Sequence, residues 1–383
     1  MANEAIILKP YKIEHHPAAD RLDLVTFRGE AGFVCVTGRD QFTLNDLVLY
    51  VEPDSVIPDN IKEHLEKTAK IKVTNRIRAI KLRGIISEGL CLNPVDFLKD
   101  KDIVENKDVS EILGITHYQP PAPRDKSWQN QKGSNPWYQN KGFRKYTHID
   151  RFEKVCHCFK EGDDVHISIK NHGMNWRAGL CLKEPKNWWQ KILQKLHILP
   201  KKEFLVGSHN TVRNIGKNAT PLPPEMANQD LFIRAAEKYD MKLLLPILAK
   251  DFKAENIVVY GELIGWGVEN PLQVGYWYGV PKGEIELRIF DILVDGRYLD
   301  MKEVENICYR FDWPVVRSIY QGPFSLDLLK FAEVVDQEGD WKGNREGIVI
   351  KVQPARHDPR MGYVVAKKIN PAYLIDKTNS HFH

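Results

Sequence analysis

The first hundred residues alternate short apolar runs with turn-forming residues. The runs are bounded by Gly, Pro and Asp, and they are too short and too closely spaced to be helices. In chain order they read IILKPYKIEHHP, RLDLVTFRG, FVCVTGRD, DLVLYVEPDSVIP, IRAIKLRG and ISEGLCLNP. Strands at this spacing, with no long helical pattern between them, predict a small closed β-barrel over residues 1–98.

The pattern is lost over residues 99–149, where three prolines near residue 121 mark a predicted linker. Aromatic residues alternate there with Lys and Arg, as in KSWQNQKGSNPWYQNKGFRKY. Such a mixture suits the stacking of bases and the attraction of phosphates. It suits equally well a linker whose aromatic side chains attach it to its neighbours. The two alternatives stay open, so no site is predicted in this segment.

Residues 150–383 combine strand and helix patterns and predict an α+β domain. The segment VHISIKNHGMNWRAGL has apolar side chains at alternate positions, which predicts a strand that ends at Lys170. Two segments have helical periodicity. PKNWWQKILQKLHILPKK has an apolar face and a lysine face, and we expect it to pack on its own domain. NQDLFIRAAEKYDMKLLLPIL is predicted to be helical as far as Pro246.

The composition fits an ordinary soluble protein. With 43% hydrophobic and 28% charged residues, the 383-residue chain can form two or three packed domains. No apolar run approaches the roughly 20 residues that a membrane-spanning helix needs, and the N-terminus lacks the pattern of a secretory signal. We therefore expect a cytoplasmic or nuclear monomer with no membrane partner. The net charge of +4 neither requires nor excludes a nucleic-acid partner.

Lys170 is a candidate covalent nucleophile. It is followed by Gly173, where the backbone can approach a ligand closely because no Cβ is present. A lysine amine, with a pKa of about 10.4, is protonated at neutral pH, so attack requires burial, neighbouring cations or a bound metal ion. Carboxylates and lysines follow in later predicted strands: VYGELIG, LRIFDILVDG, REGIVIK and VAKKINP.

These segments, in this order, resemble the covalent nucleotidyltransferase superfamily. The K-x-H-G order of Lys170, His172 and Gly173 is similar to that of its ATP-dependent RNA ligases. HPAADRL, IKLRGIISEGL and VEPDSVIP resemble the OB-like N-terminal domain of the Deinococcus/Naegleria-type RNA ligases. The resemblance implies an OB-like RNA-binding domain followed by an ATP-grasp-like nucleotidyltransferase domain. About a dozen residues follow VAKKINP, so we expect the OB-like domain upstream of the catalytic domain only.

Basic residues recur along the predicted barrel, as they would along an edge that follows RNA phosphates or along a solvated strand. They are Lys72, Arg76, Arg78, Lys81 and Arg83.

The resemblance implies three nucleotidyl transfers. Lys170 would attack the α-phosphorus of ATP and hold AMP, the AMP would pass to the 5′-phosphate of an RNA end, and a 3′-hydroxyl would then displace it. Glu346 is the implied ligand of a catalytic Mg²⁺ or Mn²⁺ ion. Lys351, with Lys367 or Lys368, would contact the α-phosphate. Alternation along a strand turns only one of two neighbours toward a pocket, and the match of positions favours Lys367.

The resemblance assigns other residues to the nucleotide and the RNA. Glu262 would accept the ribose hydroxyls, and Phe290 would stack on adenine or, alternatively, be an ordinary core residue. His172 and Asn175 would act near the phosphates in the RNA-bound steps. The remaining implied contacts are made by Gly173, Ser208 and Arg213.

The chain departs from the family pattern at two positions. Many RNA ligases have Glu directly before the nucleophile, whereas this chain has Ile169, which puts one nucleotide contact in doubt. His209 stands where a cation commonly follows the serine. The alternative functions are a non-catalytic RNA-binding protein on a ligase scaffold, a DNA ligase and a GTP-using capping enzyme.

Overall fold

The computed structural model describes residues 4–68, 73–118, 134–135, 140–183, 188–195, 201–213, 230–267, 270–359 and 361–375. The chain divides into two compact units, and neither is continuous along the sequence. The N-terminal unit comprises the described residues of 1–122, 150–160 and 368–383. The central unit comprises those of 123–149 and 161–367.

The first 118 residues are rich in strands, as their short apolar runs predict. The strands are β1 (Ala5–Leu8), β2 (Lys12–His15), β3 (Leu22–Thr26), β4 (Val34–Gly38), β5 (Val48–Val51), β6 (Ser55–Val56), β7 (Ile80–Leu82), β8 (Ile85–Ser87), β9 (Leu90–Leu92) and β10 (Thr116–His117). Two helices accompany them, α1 (Asp59–Thr68) and α2 (Ser110–Leu113). Strands β1, β5 and β9 form one sheet in the order β1-β5-β9, and β2, β3 and β4 form another.

Both faces of the β1-β5-β9 sheet are buried, because successive side chains of β1 enter two different cores. Ile7 packs in a cluster that includes Ile61 of α1. Its neighbour Ile6 packs in a cluster that includes Phe27 and Tyr50. This is the two-residue period of a strand, with an apolar residue at both phases.

The basic residues of the predicted barrel differ in their surroundings. Arg76 is 8% exposed, donates to Asp54 at 2.6 Å and lies 3.7 Å from the ring centre of Tyr118. It therefore stabilises its own unit. Arg78, Lys81 and Arg83 are exposed, and Lys72 lies outside the described residues.

The rest of the chain combines longer strands with helices. The strands are β11 (Ser134–Asn135), β12 (Asp150–Arg151), β13 (Asp164–Lys170), β14 (Met174–Leu182), β15 (Lys202–Ser208), β16 (Val212–Arg213), β17 (Ile257–Gly265), β18 (Ile285–Val294), β19 (Arg297–Tyr298), β20 (Ser318–Pro323), β21 (Val335–Glu338), β22 (Trp341–Asn344), β23 (Gly347–Val352), β24 (His357–Asp358), β25 (Gly362–Tyr363) and β26 (Val365–Ile369). The helices are α3 (Phe152–Val155), α4 (Trp188–Lys195), α5 (Leu231–Lys238), α6 (Met241–Asp251), α7 (Met301–Phe311) and α8 (Pro371–Leu374).

The central unit is built on two antiparallel arrangements of strands. In the larger sheet the order is β11-β16-β15-β14-β17-β18-β19. Helices α5, α6 and α7 share with it a core that includes Trp176, Leu245, Val259 and Val304. In the second sheet, β13 pairs with β23 on one side and with β20 on the other.

One predicted helix boundary is wrong. The helix predicted to run as far as Pro246 is interrupted at Asp240, whose backbone lies in the left-handed region with φ 50°. A separate helix, α6, follows and contains Pro246 in its interior. A proline inside a helix leaves the carbonyl four residues earlier, that of Lys242, without its helical partner. Lys242 and Pro246 are both exposed, so water can bind that carbonyl.

Several apolar side chains of the predicted linker are buried in the cores of the two units. Val109 and Ile115 belong to a core of the N-terminal unit, whereas Phe143 and Tyr146 belong to one of the central unit. The compact units therefore differ from the predicted boundaries at residues 98 and 150. Trp128, Trp137 and Tyr138 lie outside the described residues.

No helix in the described part of the chain combines the length and the apolar character that a membrane span requires.

Candidate active site

Strand pairing brings Lys170 next to Glu346. In the β13–β23 register, Lys170 lies opposite Gly347, and His166 lies opposite Lys351. Opposed residues share a face of the sheet, and residues 166 and 170 of one strand also share a face. Lys170 and Lys351 therefore lie on the same face, while Glu346 immediately precedes β23. Lys170 Nζ donates a hydrogen bond to Glu346 Oε1.

The turn after Lys170 closes over Glu262. Asn175 lies opposite Glu262 in the β14–β17 register, and the Gly173 amide donates to Glu262 Oε1 at 3.0 Å. A Cβ on Gly173 would lie 2.4 Å from the Leu263 carbonyl oxygen and 2.9 Å from Glu262 Cγ. Only glycine fits this approach, which accounts for the glycine of the K-x-H-G sequence.

The charges of this cluster are coupled. Burial raises the pKa of Glu262 to about 8; the negative charge of Glu346 adds to the effect and the positive charge of Lys170 opposes it. Burial also lowers the pKa of His172; the negative charge of Glu346 opposes this shift and the positive charge of Lys170 adds to it. At neutral pH, Glu262 is therefore largely protonated and His172 is neutral.

Glu262→Gln is expected to stabilise the protein at high pH and not at low pH. Between the ordinary pKa of 4.5 and the folded-state value of about 8, the unfolded chain loses the proton of Glu262 while the folded protein keeps it, so stability falls as pH rises through this window. Gln keeps the acceptor for Gly173 but does not ionise. Urea unfolding should show near-equal stability at pH 4.5 and an advantage for the variant of about 1–3 kcal/mol at pH 8.5. If the unfolding free energies of the two proteins changed in parallel with pH, the raised pKa of Glu262 would be contradicted.

A bulge in β18 places Phe290. In the β17–β18 pairing, Tyr260 lies opposite Asp291 but the next residue, Gly261, lies opposite Ile289, so Phe290 is the extra residue. Such bulges redirect side chains. The Phe290 ring meets the Tyr146 ring edge-on, with centroids 4.9 Å apart.

The ammonium group of Lys351 is held in the interior by Asp291. Lys351 Nζ donates to Asp291 Oδ2 at 2.8 Å and to the carbonyl oxygen of Phe290. Tyr146 Oη donates to the same Asp291 oxygen at 2.8 Å. Lys351 is 1% exposed and Asp291 is fully buried. Burial raises the pKa of Asp291, and the charge of Lys351 opposes that rise.

These side chains surround a cavity of about 150 Å³ in the central unit. It is lined by six of the predicted site residues, namely Ile169, Lys170, Asn175, Glu262, Phe290 and Lys351. A larger cavity of about 600 Å³ lies in the N-terminal unit, but its lining includes no lysine or glutamate. The smaller cavity is the better candidate, because it alone of the two holds the acid–base groups that nucleotidyl transfer needs.

Other predicted residues have partners elsewhere. Ser208 Oγ accepts from the Thr211 amide at 3.2 Å. Arg213 is 8% exposed and lies 3.5 Å from an oxygen of Asp230. The backbone amide of His172 donates to Tyr278 Oη at 2.6 Å.

The two lysines of β26 differ. Lys368 Nζ donates to Glu153 Oε1 at 2.7 Å, within the N-terminal unit. Strand alternation turns the neighbouring Lys367 to the opposite face, and its contact with the α-phosphate stays a prediction.

Sequence reasoning missed several residues of the cavity. Arg288 lies opposite Glu262 and donates to Glu338 at 2.9 Å. Its position two residues before Phe290 could have indicated a side chain on the same face of the strand. The bulge and the pairing with β17, which place it at the cavity, cannot be read from the sequence. Tyr146 lay in the predicted linker, and Asn171 follows the nucleophile without a motif of its own.

The family model of the RNA ligases matches residues 163–369, more than half of the 383-residue chain. The chain belongs to the RNA ligase family. The match confirms the predicted family and the prediction of an enzyme that joins RNA ends. A model of an OB-fold domain matches residues 5–95, which confirms the OB-like N-terminal region.

Solved structures of an RNA ligase from Naegleria gruberi are similar to this RNA ligase family member over nearly its whole length. The pyrophosphate complex is 20% identical, covers 98% of each chain and has a TM-score of 0.68. Mutants with ATP and Mn, and with AMP and Mn, are each 20% identical, cover 97% of this chain and 98% of the other, and have TM-scores of 0.67 and 0.68. At this identity the likeness concerns the fold, and it confirms the α+β class. No curated protein sequence matches the chain significantly.

Proposed function

We propose that this RNA ligase uses ATP to join 3′-hydroxyl and 5′-phosphate ends of RNA through lysyl-AMP and RNA-adenylate intermediates. The observation that carries the proposal is the Lys170 amine, hydrogen-bonded to Glu346 at a cavity that Glu262 and Lys351 also line. The similar Naegleria enzyme has been solved with ATP, with AMP and with pyrophosphate. ATP and pyrophosphate are the reactant and the leaving group of the first transfer, and AMP is the leaving group of the last.

In the first transfer, Lys170 Nζ forms a bond to the α-phosphorus of ATP as the bond from that phosphorus to pyrophosphate breaks. Phosphoryl transfer of this kind depends mainly on alignment and on stabilising spread negative charge. Lys351 and Lys367 would supply positive charge, Glu262 would accept a ribose hydroxyl, and Phe290 would stack on the base. His172, Asn175, Ser208 and Arg213 are proposed to serve the later, RNA-bound transfers.

Glu346 fits the role of metal ligand. Its Oε1 contacts Lys170, whereas its Oε2 is buried and has no hydrogen-bond partner among the described residues. A Mg²⁺ or Mn²⁺ ion prefers such carboxylate oxygens and needs only one or two of them besides phosphate and water. When bound, the ion would neutralise charge on the phosphates. No cluster of three potential metal ligands occurs in the part of the chain that the structure describes.

Removing the metal or its ligand is expected to slow adenylylation strongly. Chelation with EDTA should abolish the AMP adduct, and Glu346→Gln should reduce its rate by about 100-fold, since losing one preorganised electrostatic group costs that much. The assay is the rate of label transfer from [α-³²P]ATP over a range of Mn²⁺ concentrations. Glu284→Gln, in an exposed loop, is the control. An unchanged rate and Mn²⁺ dependence in Glu346→Gln would remove Glu346 from the metal site.

The function is tested by intact mass after incubation with ATP and Mg²⁺ or Mn²⁺, followed by sealing of nicked duplexes. We expect an AMP adduct, and we expect sealing to require a ribose on the nucleotide that carries the 3′-hydroxyl at the nick. An adduct with GTP alone would indicate a capping-type enzyme. RNA binding without any adduct would indicate a non-catalytic scaffold.

We propose, further, that the N-terminal unit binds RNA through the exposed Arg78, Lys81 and Arg83, and that the substrate is a nicked duplex or a broken RNA in repair. We propose that the enzyme acts as a monomer. ATP and RNA occur together in the cytoplasm and the nucleus, where we expect the enzyme to act.

A further inference from the structure

The side-chain oxygen of Asn171, next to the nucleophile, is a buried hydrogen-bond acceptor that no described residue satisfies. Asn171 follows Lys170, is 7% exposed and lines the same cavity. Its Oδ1 is buried and has no hydrogen-bond partner among the described residues. A buried acceptor without a donor destabilises the folded protein. The arrangement is explained if a ligand supplies the donor.

The donors that a nucleotide can offer are few. Its phosphates only accept at neutral pH, so a donor comes from an exocyclic amino group of the base or from a ribose hydroxyl. The cavity, at about 150 Å³, is smaller than the roughly 300–1,000 Å³ of pockets that enclose a whole ligand. It therefore accommodates one part of the nucleotide.

The lining identifies that part as the base. Asn171 shares the cavity with the apolar residues Ile169, Val316, Val349 and Phe290. Apolar and aromatic walls suit a flat heterocycle, and an acceptor among them suits an amino group on that heterocycle. Glu262, the residue expected to bind the ribose, lines the same cavity and lies opposite Asn175, whose own Oδ1 is also buried and without a partner among the described residues. We assign the ribose to this pair of residues and the base to Asn171.

With Oδ1 as its buried, unpartnered atom, the Asn171 carboxamide distinguishes adenine from guanine. Adenine presents a donor amino group beside ring-nitrogen acceptors, which complements the acceptor and donor of an Asn side chain. Guanine presents an acceptor oxygen at the position of that amino group, where it would face Oδ1 in this orientation and leave both oxygens unpaired; guanine would pair only if the carboxamide rotated by 180°.

We propose that Asn171 binds the 6-amino group of adenine and so makes the enzyme select ATP over GTP. This specificity role rests on the proposed function, since it concerns the nucleotide that Lys170 would attack. Asn171 affects which base is bound, and no covalent bond to Asn171 forms or breaks in the reaction.

The test compares ATP with purine riboside triphosphate, which lacks only the amino group, and with 2′-deoxy-ATP and 3′-deoxy-ATP. For wild type, losing the amino group should weaken equilibrium binding and the second-order rate of adduct formation by about 10- to 100-fold. In Asn171→Ala the two bases should differ by less than about twofold, and the preference for ATP over GTP should shrink by a similar factor. Losses caused by the deoxy sugars should be the same in both proteins.

Two further variants keep the test decisive. Asn171→Asp has the same shape and retains an acceptor, so it should keep the amino-group preference, and its melting temperature controls for folding. Asn175→Ala, which removes the neighbouring unpartnered amide, should keep that preference too. Equal losses of the amino group in wild type and Asn171→Ala would overturn the assignment to the base. A difference that appears only with the deoxy sugars would assign Asn171 to ribose instead.

The binding and covalent readouts separate two kinds of failure. If the protein binds ATP in preference to purine riboside triphosphate through Asn171 but forms no adduct, the ligase chemistry fails and the base recognition stands. If the adduct forms without regard to the amino group, the chemistry stands and Asn171 has no part in specificity.

Discussion

Lys170→Ala is expected to abolish the AMP adduct without unfolding the protein. The Lys170 amine supplies the only proposed bond to the α-phosphorus, so no adduct should form at any ATP concentration. Lys170 lies at the end of β13, and 26% of its side chain is exposed, so its loss should cost little stability. Intact mass after incubation with ATP and Mn²⁺ measures the adduct. Lys282→Ala, in an exposed loop, should form it normally.

The same variant separates the transfers. Once the 5′-phosphate of an RNA carries AMP, sealing forms a bond between the 3′-oxygen and that phosphate, and the lysine forms none. Lys170→Ala should therefore seal a nick with a pre-adenylylated 5′ end, although it fails with ATP and a plain 5′-phosphate. An adduct in Lys170→Ala would place the nucleophile elsewhere. Failure on the adenylylated nick, with binding intact, would show that the amine also acts in the last step.

The parts of this site that the sequence could predict are those fixed by strand alternation. Lys170 ends a strand with a clear apolar period, and Glu346 precedes another, so their local positions follow from the pattern. Glycine after the nucleophile implied a close approach, and Gly173 does lie against Glu262. Each of these inferences needs only a few consecutive residues.

What the sequence could not predict depends on pairing between distant strands. The bulge that leaves Phe290 unpaired exists only because β18 slips by one residue against β17. Because of that slip, Ile289 and Asp291 pair with neighbouring residues of β17 and lie on opposite faces of the sheet, whereas simple alternation would have put them on one face. Both are buried, and the carbonyl of Phe290 between them accepts from Lys351. Tyr146 comes from a segment with no period at all, so its bond to Asp291 could not be foreseen.

Breaking the Lys351–Asp291 pair from one side is expected to destabilise the protein by about 3–5 kcal/mol, because a buried charge loses its partner. Lys351→Met leaves the Asp291 carboxylate with Tyr146 and the Ile292 amide only. Adding Asp291→Asn removes the charge and keeps an acceptor for Tyr146, so the double variant should regain most of the loss. Urea unfolding of the four proteins measures the cycle.

The exposed ion pair between Arg310 and Asp251, at 2.6 Å, is the matched control. Arg310→Met should change stability by at most about 1 kcal/mol, since water replaces the partner at an exposed pair. A single-variant loss at Lys351 no larger than this would mean that the pair is weakly coupled, despite its burial.

The double variant also decides what Lys351 does. If its ammonium group only completes the core, restoring stability should restore adenylylation. If it also meets the α-phosphate, as we propose, adduct formation should stay about 100-fold or more below wild type in a protein of nearly normal stability. The second outcome is expected, because Lys351 lines the cavity beside Lys170 and Glu262 while its contacts with Asp291 and the Phe290 carbonyl hold the ammonium in place. A charge held that rigidly needs little reorganisation when the phosphate arrives, which is the condition under which an electrostatic group accelerates transfer most.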